Sequence, residues 1–147
     1  MSAMKYFLGL MFLGSLIACN PDVHISTSAT TEATVDEVTK DYKKPDPAVK
    51  RTGNHLVFLD GTKSTGEVLL DAEHEDTTLV HTQKADITVH QKWEAVPGGT
   101  HIEQYISIHL DWWNEANVPA FQLSMQAALD NDALRLSLAH AKAAGHE

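Results

Sequence analysis

The stretch "DITVHQKWEAVPGGTHIEQYISIH", residues 86–109, decides the fold. In its first half Ile87, Val89, Trp93 and Ala95 fall on one parity, and Asp86, Thr88, His90, Lys92 and Glu94 on the other. The second half repeats the pattern and carries it on to Trp112, with Ile102, Ile106, Ile108, Leu110 and Trp112 against His101, Glu103, Ser107, His109 and Asp111. Alternation with a period of two marks half-buried strands. Between the halves, Val96-Pro97-Gly98-Gly99 places proline and glycine where a type II turn needs them. Setting Val96 opposite Gly99 fixes the whole register. Trp93 then meets Ile102, Val89 meets Ile106 and Ile87 meets Ile108. On the other face Lys92 meets Glu103, Glu94 meets His101 and Asp86 meets His109. Apolar opposes apolar and unlike charges oppose one another, as cross-strand pairing favours. A slip of one residue would mix the two faces.

Working outward, "HLVFLD", "GEVLL" and "TTLVHT" read as short strands separated by the turns "DGTKSTG" and "DAEHED". Downstream, "AFQLSMQAAL" alternates again and is expected to fold back through "NEANVP", with Leu123 near Ile108 and Met125 near Ile106. In "ALRLSLAHAKAAG" the alternating Leu134, Leu136 and Leu138 favour a strand, while Ala, Leu, Arg and Lys favour a helix. The strand is expected through Leu138, with a helical or frayed tail. Six or seven antiparallel strands in meander order predict a mainly β domain, a small barrel or sandwich with a possible C-terminal helix; α+β is the alternative.

The N-terminus carries a different signal. Met1 to Lys5 hold one positive charge and no acid, and residues 6–18 hold no charge at all. That run is shorter than the roughly 20 apolar residues a membrane span needs, and it has the form of a secretory signal peptide. In "FLGSLIACNP", residues 12–21, Leu16-Ile17-Ala18-Cys19 resembles the lipobox of bacterial lipoproteins. The resemblance implies cleavage after Ala18 and acylation of Cys19. Asn20, where an aspartate would favour inner-membrane retention, implies the outer membrane of a diderm host. An ordinary signal peptide would leave Cys19 as a free thiol in an oxidising compartment, a liability that acylation removes.

The resulting plan has three parts: a signal peptide over 1–18, a lipidated N-terminus and solvated Ser/Thr-rich tether over 19–50, and the β domain over 51–147. Within the tether, "EATVDEVTKDYKK" can form one or two helical turns with Val35, Val38 and Tyr42 on one side. The chain has a formal net charge of −9, and cleavage would remove one lysine and no acid. Such a chain is repelled by phosphate backbones, which excludes nucleic acid as a partner. Attachment to the membrane must then come from the lipid on Cys19 and not from a basic patch.

Nine histidines raise the question of a metal site. The candidates are His101, His109, His74, Asp86 and Glu94, which the register brings together in pairs. A zinc site needs three or four ligands converging on one point, and these pairs spread along a sheet face. They are read first as surface polar residues, and no cofactor is expected. Ser107, His109 and Asp86 are also neighbours, but "YISIHL" supplies neither a nucleophile elbow nor an oxyanion hole. Trp113 breaks the core parity at a strand end and is a candidate anchor for an envelope protein partner. The sequence therefore predicts a non-enzymatic, lipid-anchored cell-envelope protein whose acidic β domain serves binding, inhibition or assembly. The alternative is a periplasmic metal or small-ligand binder using the histidine-bearing face or a barrel interior.

Overall fold

The structure, a computed structural model, describes residues 23–83, 85–109 and 118–145. Among the described residues seven strands form one antiparallel sheet: β1 (Val23–Thr31), β2 (Val49–Thr52), β3 (His55–Phe58), β4 (Thr65–Ala72), β5 (Glu75–His81), β6 (Asp86–Val96) and β7 (Gly99–His109). A short helix α1 (Val35–Tyr42) follows β1, and a long helix α2 (Val118–Ala144) follows β7. Strands β2 to β7 run as a meander, and β1 joins the free edge of β7, giving the order β1-β7-β6-β5-β4-β3-β2. The mainly β meander with its helix holds. The sheet does not close into a barrel, because β1 and β2 lie at opposite edges.

The β6–β7 hairpin has the register read from the sequence, from Val96 opposite Gly99 to Asp86 opposite His109. Gly98 turns with φ of 84°, the left-handed conformation that the third residue of a type II turn requires. The inward row packs as alternation demands: Trp93, Ile102, Ile106 and Ile108 are all buried.

Three expectations are corrected. The first is the tether over 19–50. Val23–Thr31 pairs with β7 along its whole length, from Val23 opposite Ile108 to Thr31 opposite Thr100. Its inward positions are Val23, Ile25, Thr27, Ala29 and Thr31, so threonine and alanine occupy sites where large apolar residues are usual. That composition disguised a strand as a polar linker, although threonine is a good strand former. The close approach at the top of the pairing needs Gly99, since a Cβ there would fall on the Thr31 carbonyl. Residues 35–42 form the two-turn helix α1, started by a capping box between Thr34 and Glu37.

The second and third corrections concern residues 120–129 and 133–138, which are helical and not strands. The edge of β7 that a further strand would have used is already taken by β1, so Val23 and not Leu123 stands opposite Ile108. No Val, Ile or Thr occurs between Pro119 and Gly145, and Ala, Leu, Met and Gln favour a helix. Pro119 sits in the first turn, where its missing N–H breaks no helical bond. Val118, Phe121, Met125, Leu129, Ala133 and Leu136 recur every three or four residues along the face that meets the sheet.

Helix α2 lies along β1. Gln122 and Gln126, one turn apart, donate from Nε2 to the Ser26 and Ser28 carbonyls at 2.7 and 2.8 Å, satisfying edge groups that would otherwise invite another strand. Ser137 Oγ stands 2.8 Å from Thr31 Oγ1 and accepts from the Glu32 N–H at 2.9 Å. The core divides into two clusters. At one end Val38 of α1 packs with Trp93, Ile102, Leu129 and Leu136; at the other Val23, Ile25, Ile106 and Ile108 meet Val118, Phe121 and Met125. Trp93 is 2% exposed, donates from Nε1 to Thr39 Oγ1 at 2.8 Å and packs edge-to-face on Tyr42 with ring centroids 5.2 Å apart. Arg135 clamps Asp41 through both carboxylate oxygens at 3.0 and 2.7 Å and also bonds Asp132, fixing α1 to α2.

The helical reading makes a direct prediction. Leu123 is 71% exposed and Leu129 is 3% exposed, although both share one parity in a strand. Leu129→Ala should cost about 2–5 kcal/mol and Leu123→Ala no more than about 0.5 kcal/mol in chemical unfolding. Similar losses at the two positions would contradict the helix.

Candidate functional site

The pleat sends Trp93 and Ile102 toward the helices, and Lys92, Glu94, His101 and Glu103 to the opposite, outer face of the sheet. At the end of that face near the β4–β5 turn lies a pocket of about 350 Å3. It is lined by Ala72, Glu73, His74, Glu75, Lys92, Trp93, Glu94, His101 and Glu103. Three of the residues singled out in the sequence, His74, Glu94 and His101, thus share one pocket. Glu94 and His101 arrive as cross-strand partners, while His74 comes from the turn, whose backbone carbonyl accepts from the Trp93 N–H at 3.0 Å.

The polar groups form a connected array. Thr30 Oγ1 is 3.3 Å from His101 Nδ1, and His101 Nε2 is 3.4 Å from Glu103 Oε1. Glu103 also accepts from the Tyr105 hydroxyl at 3.1 Å and pairs with Lys92 Nζ at 3.3 Å. One strand further on, His90 bridges Thr77 Oγ1 at 2.6 Å and Glu75 Oε1 at 3.0 Å, and its ring lies 6.0 Å from that of Tyr105. His74 Nε2 stands 3.6 Å from Glu73 Oε1. Four glutamates line the pocket against one lysine and two histidines, so it suits a small cationic or hydrogen-bond-donating group better than an anion.

Burial pushes the Glu103 carboxyl up, but the hydrogen bonds from Tyr105 and Lys92 and the lysine charge outweigh it and hold this acid below its ordinary range. Lys92 is raised in turn by the same hydrogen bond and charge, and Tyr105 by burial and then by Glu103. Among the described residues no group of three or more histidines, cysteines, aspartates and glutamates is placed to hold a metal ion. His74, Glu94 and His101 line one pocket without converging on one point.

Asp86 and His109 lie at the far end of the same hairpin, opposite one another but away from the pocket. The Asp86 carboxylate is engaged by His81 Nδ1 at 2.9 Å, and Ser107 stands opposite Thr88. Cys19 and Trp113 lie outside the described residues. The sequence reading missed Tyr105, His90 and Glu75 as members of the outer array. The hairpin register already implied His90 opposite Tyr105; the strand that brings Glu75 beside His90 had a polar start that alternation did not reveal.

The inner face holds a second feature. Thr27, Gln104 and Gln91 form a row across it, with Gln104 donating to Gln91 at 3.1 Å. In line with them Asp76, raised by burial against the partial offset of Lys43, lies 3.7 Å from the Lys43 ammonium. The row separates the two apolar clusters. Beyond it the inward side chains Ile87, Val89, Thr78 and Val80 are half-buried. Ile87 and Val89 pack against the cluster of Ile106 and Ile108, and further along the sheet Leu56 and Phe58 close over Gly66.

Glu103 gives a pH test. A carboxyl held low in the fold stabilises it above the ordinary carboxylate pKa of 4.5, and that contribution is lost as pH falls through the lower folded value. Glu103→Gln should therefore lower stability at pH 7 by at most about 1 kcal/mol, with the gap closing in acid, read from denaturant midpoints across pH. A gap that does not change with pH would assign the cost to packing.

No family model matches this sequence, and no curated protein matches it. Solved structures do resemble the fold. An uncharacterised protein from Rhizobium leguminosarum superposes with a TM-score of 0.57 at 11% identity, over 81% of this chain and 94% of that one. A protein of unknown function from Staphylococcus aureus gives 0.58 at 11% identity, over 84% and 98%. CalU16 from Micromonospora echinospora gives 0.53 at 18% identity, over 86% and 88%. At these identities the likeness is one of architecture: an antiparallel sheet with a long C-terminal helix, the helix-grip or Bet v1-like fold.

Proposed function

We propose that this chain is a lipid-anchored protein of the bacterial cell envelope whose acidic helix-grip domain acts by binding and not by catalysis. The observation that carries the reading is Leu16-Ile17-Ala18-Cys19, with the only thiol of the chain at the position a lipobox acylates. The fold adds a constraint. Strand β1 starts at Val23, four residues after Cys19, so the anchored domain sits close against the membrane and not at the end of a long tether. Two or more acyl chains hold a protein stably where one does not. Asn20 favours the outer membrane, and an envelope protein is the natural macromolecular partner.

Cells fed an alkyne-bearing palmitate should incorporate it into the wild-type protein and not into Cys19→Ser, and the variant should leave the membrane fraction. An unlabelled, soluble wild-type protein would overturn the anchor.

A second reading concerns what the domain binds. The inward side chains Ile87, Val89 and Val80, only half-buried and beside Gln91, support a small, mainly apolar ligand held between α2 and the sheet. Titration of the isolated domain with an environment-sensitive naphthalene dye should saturate at one site, and Val89→Arg should weaken it several-fold. Dye binding unaffected by Val89→Arg would move the ligand elsewhere.

A further inference from the structure

We propose that the outer face of α2 is the surface this domain lays on the lipid bilayer, an inference that rests on the acylation of Cys19. The helix runs 27 residues, and its sheet side is accounted for by Phe121, Met125, Leu129, Ala133 and Leu136. The opposite side is also apolar. Leu123, Leu134 and Leu138 are 71, 57 and 62% exposed, and Ala127 and Ala141 are exposed between and beyond them. Positions 123, 127, 134, 138 and 141 repeat at helical spacing, so they form one stripe along the axis. The charged residues on or beside it are Asp130, already bonded by Gln126 Nε2 at 2.9 Å, and Lys142 in the last turn. A helix that is apolar on two faces requires cover on both. The sheet covers one.

The anchor decides what covers the other. From Cys19 to Val23 the chain spans at most about 14 Å. Helix α2 flanks β1 directly, tied to it by Gln122 and Gln126, and a helix with its side chains is about 10–12 Å across. The acylated residue can therefore reach the outer surface of α2. The opposite edge strand β2 lies six strand spacings away, about 29 Å at 4.8 Å each, beyond that reach. The bilayer that holds Cys19 thus lies on the β1–α2 side of the molecule. With a net charge of −9 the chain gains no attraction from anionic head groups, so the contact is apolar. Helix α2 is not apolar enough to cross the membrane, which is consistent with its lying in the interface plane.

The test uses the full acylated protein, purified from membranes and placed in phosphatidylcholine vesicles whose acyl chains are brominated. The acylated Cys19 offers no free thiol, so an environment-sensitive fluorophore is attached to Leu123→Cys, Leu134→Cys or Leu138→Cys. Lys50→Cys on β2 and Leu59→Cys in the β3–β4 loop serve as controls. The helix probes should shift to the blue and be quenched by bromine; the two controls should not. Equal responses at every position, or a response at Leu59→Cys alone, would overturn the inference. So would helix-probe shifts that arise without vesicles and grow with protein concentration, which would put a second copy on the stripe. The intact mass separates the two claims. Acylated protein with unquenched helix probes refutes the docking face alone, and unacylated Cys19 refutes the anchor and the docking face together.

Discussion

The pairing of Val23–Thr31 with the outer edge of β7 constrains almost everything else in the molecule, because an edge can be filled only once. With β1 there, the outer edge of β7 is closed to the chain that follows it, and that chain covers the sheet in another way. It does so as a helix lying along the newly added strand, with Gln122 and Gln126 satisfying the carbonyls that β1 leaves free. The same pairing brings Ala33 and α1 onto the inner face, where Trp93 closes the core against Thr39 and Tyr42. Hydrogen bonding at one edge thus selects the secondary structure of a segment nearly a hundred residues away.

The two faces of the sheet divide the chemistry. The inner face is built from two apolar clusters with a polar row of Thr27, Gln104, Gln91 and Asp76 between them. A largely half-buried row of this kind is tolerable because Thr27, Gln104 and Gln91 bond in sequence and Lys43 approaches the one acid. The outer face carries histidines and glutamates in close side-chain contacts that are half-open to solvent. Those contacts contribute little to stability individually but fix the side chains around a pocket that carries more acid than base.

Much of this was legible locally. The β6–β7 register, its type II turn and the partners Lys92–Glu103 and Glu94–His101 follow from alternation and one proline-glycine pair, since a strand pair joined by a tight turn leaves no freedom in register. Other features misled. "VHISTSATT" buries threonine and alanine where isoleucine is usual, so its inward parity carries little hydrophobic contrast. In "AFQLSMQAAL" the residues Phe121, Met125 and Leu129 satisfy both a period of two and a period of four, and Leu123 tips the count toward a strand although it points into solvent. The absence of β-branched residues after Val118 was the better guide.

By itself the sequence determined the central hairpin and the meander, because each depends on residues close together in the chain. Tertiary structure alone decided that residues 23–42 belong to the domain, that residues 118–144 are helical, and that His74 joins Glu94 and His101 in one pocket. The reason is competition for one edge of β7. Whether β1 or a downstream strand occupies it depends on contacts between segments far apart in sequence, and local periodicity carries no record of that choice.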